Sequence, residues 1–434
     1  MNSEFATPNT TEVATPTRVP FFRPNLGDEE IEEVVATLRS GWLTSGPRVK
    51  RFEEAFAAAV NARHAVALNS CTAALHLAVH ALGLRAGEGV LVPAMTFAAT
   101  AEVVRYEGGI PILIDCDPRT LNMDLDHAER TIKRIRSDSR VAGLPSNLSV
   151  VGIIPVHVAG LMLNVDDVAE FAARHGLWVV EDAAHAFPAA WRRGSDAPWQ
   201  LCGQQTAAVS CYSFYANKTI TTGEGGMAVT HDPELAARIR VLSLHGLSQD
   251  AWDRYSGNGS WDYRILEPGY KYNMTDIAAA IGIHQLVRAE QMRRAREAIA
   301  HEYLRRLEDL EELELPANDE NRVHAWHLFG VRLRLDKLAV ERDTFIKDLA
   351  KAGVSCAVHY RPLHLHPYYE QAFGWTPTDL PAASAVWRRL ISLPLYSTMS
   401  TSDVEHVITA VRTVSARSSS RGARMEAGVS LRAV

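Results

Sequence analysis

The amino-acid sequence predicts an α/β protein with a mainly parallel central sheet, followed by a smaller C-terminal α+β domain. Three observations predict it. Short apolar runs alternate with helical stretches from residue 65 to residue 214, the order that arises when crossover helices cover a sheet. The runs are continuous and β-branched rather than alternating, which suits strands covered on both faces. After about residue 275 the texture changes to one long helical stretch and then to mixed segments.

Ile31, Val34, Val35 and Leu38 stand at i, i+3, i+4 and i+7, a helix face closed by Ser40 and Gly41. Val49, Phe52, Phe56 and Val60 repeat the pattern. AVAL (65–68) then precedes TAALHLAVHAL, and VLVP (90–93) precedes TFAATAEVV. PILID (111–115) follows, and VVGIIPV (150–156) precedes the amphipathic VDDVAEFAARHG. LWVVED (177–182) and AAVSCYSF (207–214) complete the strands. The long helical stretch (275–313), HLFGVRLRL (327–335) and a closing helix near Val404–Val411 make up the second domain. Residues 1–24 read as a flexible lead-in, 25–275 as the large domain, 276–415 as the small domain and 416–434 as a flexible tail.

Across 434 residues, 47% apolar and 22% charged side chains describe a globular protein and exclude a disordered one. A formal net charge of −6 argues against a dedicated nucleic-acid binder. Cys71, Cys116, Cys202, Cys211 and Cys356 include no C-x-x-C pair, so neither a disulfide framework nor a thiolate metal site is expected. No signal-peptide pattern opens the sequence and no apolar run reaches membrane-spanning length. The expectation is a cytoplasmic enzyme without a membrane or nucleic-acid partner.

Parallel sheets bind ligands at the carboxyl ends of their strands, so the residues just after each run are where chemistry belongs. AVAL leads into Asn69, Ser70, Cys71 and Thr72 and then a helix, whose N-terminal amides and neighbouring hydroxyls suit a phosphate. Alone, such a serine or threonine is ordinarily a helix cap. LWVVED ends on Asp182, a carboxylate among small apolar residues that needs a partner, whether a ligand or a core cation. Lys218 follows an apolar strand and precedes the glycines of GEGG (223–226). A desolvated lysine there can become the nucleophilic amine of a Schiff base, though most lysines are simply solvated. A phosphate cradle, an acid for a pyridinium nitrogen and a Schiff-base lysine are together the parts that hold pyridoxal 5'-phosphate (PLP).

The blocks GWLTSGPRVKRFEEAF (41–56), NSCTAALHLA (69–78), VPAMTFAATA (92–101), VEDAAHA (180–186), SFYANKTITTGEGGMAVT (213–230), LHGL (244–247) and GYKYNMTDIAAAIGIHQL (269–286) resemble, in order, those of the DegT/StrS-type family of PLP-dependent sugar aminotransferases. The resemblance covers about residues 20–410. It implies a fold type I PLP-dependent transferase that moves an amino group from an amino acid such as L-glutamate to a keto group of a nucleotide-linked sugar. Carried over, Lys218 binds the cofactor covalently and shuttles protons, and Asp182 pairs with the ring nitrogen. His185, where the family often has Gln, lies near the phenolic oxygen, and Phe97 stacks on the ring. Ser70, Cys71, Thr72 and Ser213 bind the phosphate, joined by Asn273 from the neighbouring subunit of a homodimer. The family usually has Gly in the Ser70–Cys71–Thr72 block, so a phosphate role for the Cys71 amide requires a negative φ there. Tyr272-Asn273-Met274-Thr275-Asp276 resembles the relatives that aminate a 4-keto rather than a 3-keto sugar. A 3-keto sugar or cyclitol aminotransferase, a PLP-dependent sugar dehydratase and a non-catalytic regulator are the alternatives. Lys218, which is histidine in the dehydratases, argues against the second.

Three weaker signals remain. His359, His364 and His366 in HYRPLHLHP match no metal spacing, and the loop is expected to border the active-site mouth. His157 either approaches the cofactor or is a satisfied core histidine. The long aromatic, Gly-rich loop 248–268 has the profile of a binding or lid loop. No G-x-G-x-x-G follows a strand, which removes a dinucleotide alternative.

Overall fold

The apolar runs form one twisted sheet. A computed structural model describes residues 18–137, 141, 143–204, 207–248 and 263–419. Its large sheet contains β1 (His64–Leu68), β2 (Gly89–Pro93), β3 (Ile110–Ile114), β4 (Val150–Ile153), β5 (Trp178–Asp182), β8 (Val209–Ser213) and β9 (Gly226–Thr230). Two short strands, β6 (Ala190–Trp191) and β7 (Gln200–Leu201), lie apart from it. The strand order is β1-β9-β8-β5-β4-β2-β3. Neighbours from β8 to β3 pair in parallel, and only β9 runs against both of its neighbours. The fold is α/β of fold type I.

Helices α1 (Asp28–Ser40), α2 (Pro47–Ala59), α3 (Cys71–Ala81), α4 (Ala99–Tyr106), α5 (Leu125–Arg136), α6 (Val165–His175) and α7 (Pro233–Ser243) accompany this sheet. Val66 and Leu68 pack with α3, whereas Ala65 and Ala67 face α2 on the other side. In β2, Val90 and Val92 take one face and Leu91 the other, against α5 and α6. Covered on both sides, these strands have no polar face, hence their unpatterned sequences.

Next come α8 (Asp276–Val287) and α9 (Ala289–Leu307), then β10 (Leu313–Glu314), β11 (Arg322–Val323) and β12 (Phe329–Leu333). Helices α10 (Arg342–Lys351), α11 (Pro367–Phe373) and α12 (Pro381–Trp387), strand β13 (Leu390–Leu393) and α13 (Thr401–Ser418) complete the chain. A three-stranded sheet, β10-β12-β13, carries the small-domain core with α10 and α13.

Several boundaries differ from expectation. Helix α8, expected to open the small domain, packs on α1 and α2 and buries Ala279 and Ile283 in the large-domain core. Helix α9 crosses between the domains: Ala289 and Met292 belong to the large core, Ile299, Tyr303 and Leu307 to the small one. The lead-in is anchored at Val19, which is fully buried and bridged to Val354. The expected tail is helical through Ser418, and Ser419 bridges to Leu338. On α1 the anticipated apolar face is open: Ile31 is 58% and Leu38 53% exposed, while Glu30 and Thr37 are buried. Among the described residues no helix is long and apolar enough to cross a membrane. The proposed lid loop lies largely outside the described residues, as does the tail beyond Ser419.

Candidate active site

A cavity of about 440 Å³ opens at the carboxyl ends of the parallel strands. Eight of the nine residues singled out from the sequence line it: Ser70, Cys71, Thr72, Phe97, Asp182, His185, Ser213 and Lys218.

The first wall is the start of α3. Ser70, extended at φ −165°, ends the turn after β1 and accepts the Ala73 amide at Oγ, 3.1 Å away. The amides of Cys71 and Thr72 are left without an intrahelical acceptor and face the cavity rim. Cys71 is not among the positive-φ residues, so cysteine serves here without backbone strain. Burial, followed by the Asp182 charge, pushes its thiol well above the ordinary range and keeps it protonated. A Cβ on Gly226, in the neighbouring strand, would meet the Ser70 carbonyl carbon at 2.3 Å and the Cys71 nitrogen at 2.5 Å. The last glycine of GEGG therefore lets two backbones approach behind the cradle.

The second wall is the end of β5. Asp182 is buried, and among the described residues no basic side chain bonds it. Its carboxylate accepts the Thr100 hydroxyl at 2.8 Å and the Ala184 amide at 3.1 Å, and Thr96 shares a hydrogen bond with Thr100. Burial raises its pKa, against the pull of those hydrogen bonds. In the following turn, His185 Nδ1 accepts the Ala159 amide at 3.2 Å, which leaves Nε2–H to donate to the Tyr360 hydroxyl at 2.9 Å. Burial, aided by the Lys218 charge, holds this imidazole neutral.

Opposite them, Lys218 sits in the turn between β8 and β9, its amide bonded to the Tyr215 carbonyl. Burial pulls its amine down to about 8, opposed by the Asp182 carboxylate and assisted by Arg296. Nζ lies 3.4 Å from His327 Nε2. Beside it, Asn217 Oδ1 is buried without a partner. Ser213 Oγ accepts the Tyr215 amide at 3.3 Å, and Phe97, 62% exposed, stands at the mouth 6.2 Å from the Tyr360 ring.

Asn273 is the exception. Its amide donates to Ser45 Oγ at 2.7 Å and its Oδ1 accepts from Lys271, within the same chain and outside the cavity lining. The HYRPLHLHP loop divides: His359 and Tyr360 line the cavity, His364 bonds Ser384 and His366 bonds the Arg361 carbonyl. His157 is fully buried, accepts the Leu163 amide and faces Glu181 rather than the cavity. With Glu181 and Cys202 it forms the one cluster of metal-capable side chains among the described residues.

Sequence reasoning missed Thr100, Asn217 and His327, and assigned Tyr360 no role. No local pattern marks His327. Thr100 lies in the first turn of α4, and Thr96, in the bend before that helix, bonds its hydroxyl.

The donor set fits PLP. An open helix N-terminus suits its phosphate, a buried carboxylate lacking a cation suits its ring nitrogen, and a desolvated amine suits its aldehyde.

The family model of the DegT/DnrJ/EryC1/StrS aminotransferase family matches residues 24–412. Spore coat polysaccharide biosynthesis protein SpsC of Bacillus subtilis is 43% identical over 399 residues, 91% of this chain and 97% of that protein. An uncharacterized protein of Methanocaldococcus jannaschii is 42% identical over 399 residues, with the same shares of 91% and 97%. Putative sugar aminotransferase Spr1654 from Streptococcus pneumoniae, in its PLP form, superposes with a TM-score of 0.80 at 32% identity, over 92% of this chain and 99% of that one. Its PMP form gives the same TM-score of 0.80. The chain belongs to the DegT/DnrJ/EryC1/StrS aminotransferase family.

Proposed function

We propose that this PLP-dependent sugar aminotransferase passes the amino group of L-glutamate to the 4-keto group of a nucleotide-linked sugar, as a cytoplasmic homodimer with shared active sites. One observation carries the transfer chemistry: an amine depressed to about 8 shares a cavity with a buried carboxylate and an open helix N-terminus. The amides of Cys71 and Thr72 and the hydroxyls of Ser70, Thr72 and Ser213 would hold the phosphate of PLP. Bound there, PLP supplies an electron sink for charge developing at the donor's α-carbon.

The protein's own groups do the rest. Asp182, fixed by Thr100 and Ala184, holds a proton at the ring nitrogen. Lys218 Nζ, with a pKa close to working pH, takes a proton from one carbon and returns it to the next. His185, through its Nε2–H, fixes the Tyr360 hydroxyl at the cavity edge, and Phe97 covers the ring.

The 4-keto assignment is supported by the resemblance of residues 272–276, and a sugar acceptor by the Bacillus relative's name. The homodimer is supported by Asn273, held at Ser45 outside its own cavity. It is supported also by the apolar side chains Ile31, Leu38 and Val287 (82% exposed), open on the packed pair α1 and α8. Five free cysteines accord with a reducing compartment. The test is incubation with nitrogen-15 glutamate and matched 3-keto and 4-keto nucleotide sugars, with NMR locating the label. Nitrogen at C4 is expected; preference for the 3-keto substrate overturns the regiochemistry alone.

A further inference from the structure

On the small-domain side of Lys218 lies a buried cation that no carboxylate pairs among the described residues. Arg296, on α9, is 3% exposed. Its Nη1 donates to the carbonyls of Leu395 (2.7 Å), Trp326 (3.4 Å) and His327 (3.5 Å), and its Nε is buried without a partner. Arginine in the core is ordinarily paired with an acid, so a guanidinium spent on three carbonyls is a structural commitment. The carbonyls belong to two segments, one entering β12 and one leaving β13. Trp326 has a φ of +49°, a conformation an L residue adopts only when its surroundings impose it.

The consequence falls on His327. Its amide donates to the Ala159 carbonyl at 3.0 Å while Arg296 engages its own carbonyl, so both backbone polar groups are held. The imidazole then lies 4.3 Å from the His185 ring with Nε2 at 3.4 Å from Lys218 Nζ. We infer that His327 orients the Lys218 amine by accepting a hydrogen bond at Nε2, and that Arg296 is the positioning residue that holds His327 in line. The inference rests on the reading of Lys218 as the proton-moving amine.

The groups facing the pair favour this arrangement. Burial, then Lys218, His185, Arg296 and His359, keep the His327 imidazole neutral, so it accepts without competing for charge. Lys218 is faced by Asp182, which favours its ammonium, by the protonated Cys71 thiol, and by Arg296, which disfavours the ammonium. With Nε2 accepting, the ring proton of His327 resides on Nδ1, which is buried and has no partner among the described residues.

The test uses the full chain. The pH dependence of Lys218 acylation by an amine reagent, read by peptide mapping, gives the amine's midpoint without cofactor turnover. His327→Leu removes an acceptor that favours the ammonium and should lower the midpoint. In the PLP-loaded enzyme, His327→Leu should lower kcat about tenfold with KM values within about twofold, and His327→Gln should recover most of the loss. Arg296→Lys keeps the charge but not the clamp, so the midpoint and kcat should both fall, in the direction of His327→Leu. A purely structural role would leave the Lys218 midpoint unmoved in both variants. His327→Leu with wild-type midpoint and kcat overturns the inference. So does a wild-type midpoint with unchanged kcat in Arg296→Lys. Transamination surviving in Lys218→Ala would instead sink the underlying reading of Lys218.

Discussion

The two walls of the cavity are built in opposite ways. On the large-domain rim, each functional group sits at or just after a strand end: Ser70 to Thr72 after β1, Asp182 at the end of β5, Ser213 at the end of β8. On the small-domain side, His327 and Tyr360 come from separate segments brought in by tertiary contacts, one held by Arg296 and the other bonded to His185. The rim supplies the reacting and charge-holding groups. The small-domain side supplies hydrogen bonds that aim them. Substitutions on the rim should therefore abolish steps, and those opposite should only slow them.

The largest expected effect is at Lys218. Lys218→Ala should lose transamination completely while far-ultraviolet circular dichroism stays native, because the side chain bonds little besides His327. Asp182→Asn should keep bound cofactor yet lower kcat about a thousandfold, since the carboxylate acts mainly on the charged transition state. A loss of only a few-fold, measured by steady-state kinetics, would reduce Asp182 to a structural partner of Thr100.

A third variant sharpens the rim's geometry. Gly226→Ala places a Cβ 2.3 Å from Ser70 backbone, which cannot swing aside as a side chain could. It should cost about 2 kcal/mol in urea unfolding and weaken PLP binding by distorting the cradle. Across the cavity, Tyr360→Phe removes only the partner of His185 Nε2, and a fall of about fivefold in kcat is expected. A larger loss at Tyr360 than at Asp182 would invert the comparison.

A last effect falls on the pH dependence of stability. Burial lowers the Lys218 pKa from 10.5 to about 8, so the unfolded chain binds the extra proton between those values. The apoprotein should gain stability from this group as pH rises from about 8 to 10.5, and Lys218→Met should remove that slope in denaturant titrations.

The rim was legible in the sequence because its groups are local: an apolar run stops, and the next few residues carry polar chemistry. The cradle, Asp182 and Lys218 each follow that rule. His327 was not legible, since nothing in VHAWHLFG distinguishes it from the neighbouring His324, which stacks on Trp326 and is buried away from the lysine. Only the docking of β12 selects between them. The α1 stripe shows a second limit. Periodicity found the helix but could not say what covers Ile31 and Leu38, because burial depends on a partner that the local pattern does not contain. Likewise the change of texture near residue 275 marks a change in helix composition, whereas the packing boundary falls inside α9.

The central claim is that the Lys218 amine is the group that binds the cofactor. Borohydride reduction of the PLP-loaded enzyme, followed by peptide mapping, tests it most directly. A single pyridoxyl adduct on Lys218 is the expected result, and it should vanish if glutamate is added before the reductant. An adduct on any other lysine, with Lys218 unmodified, would contradict the account.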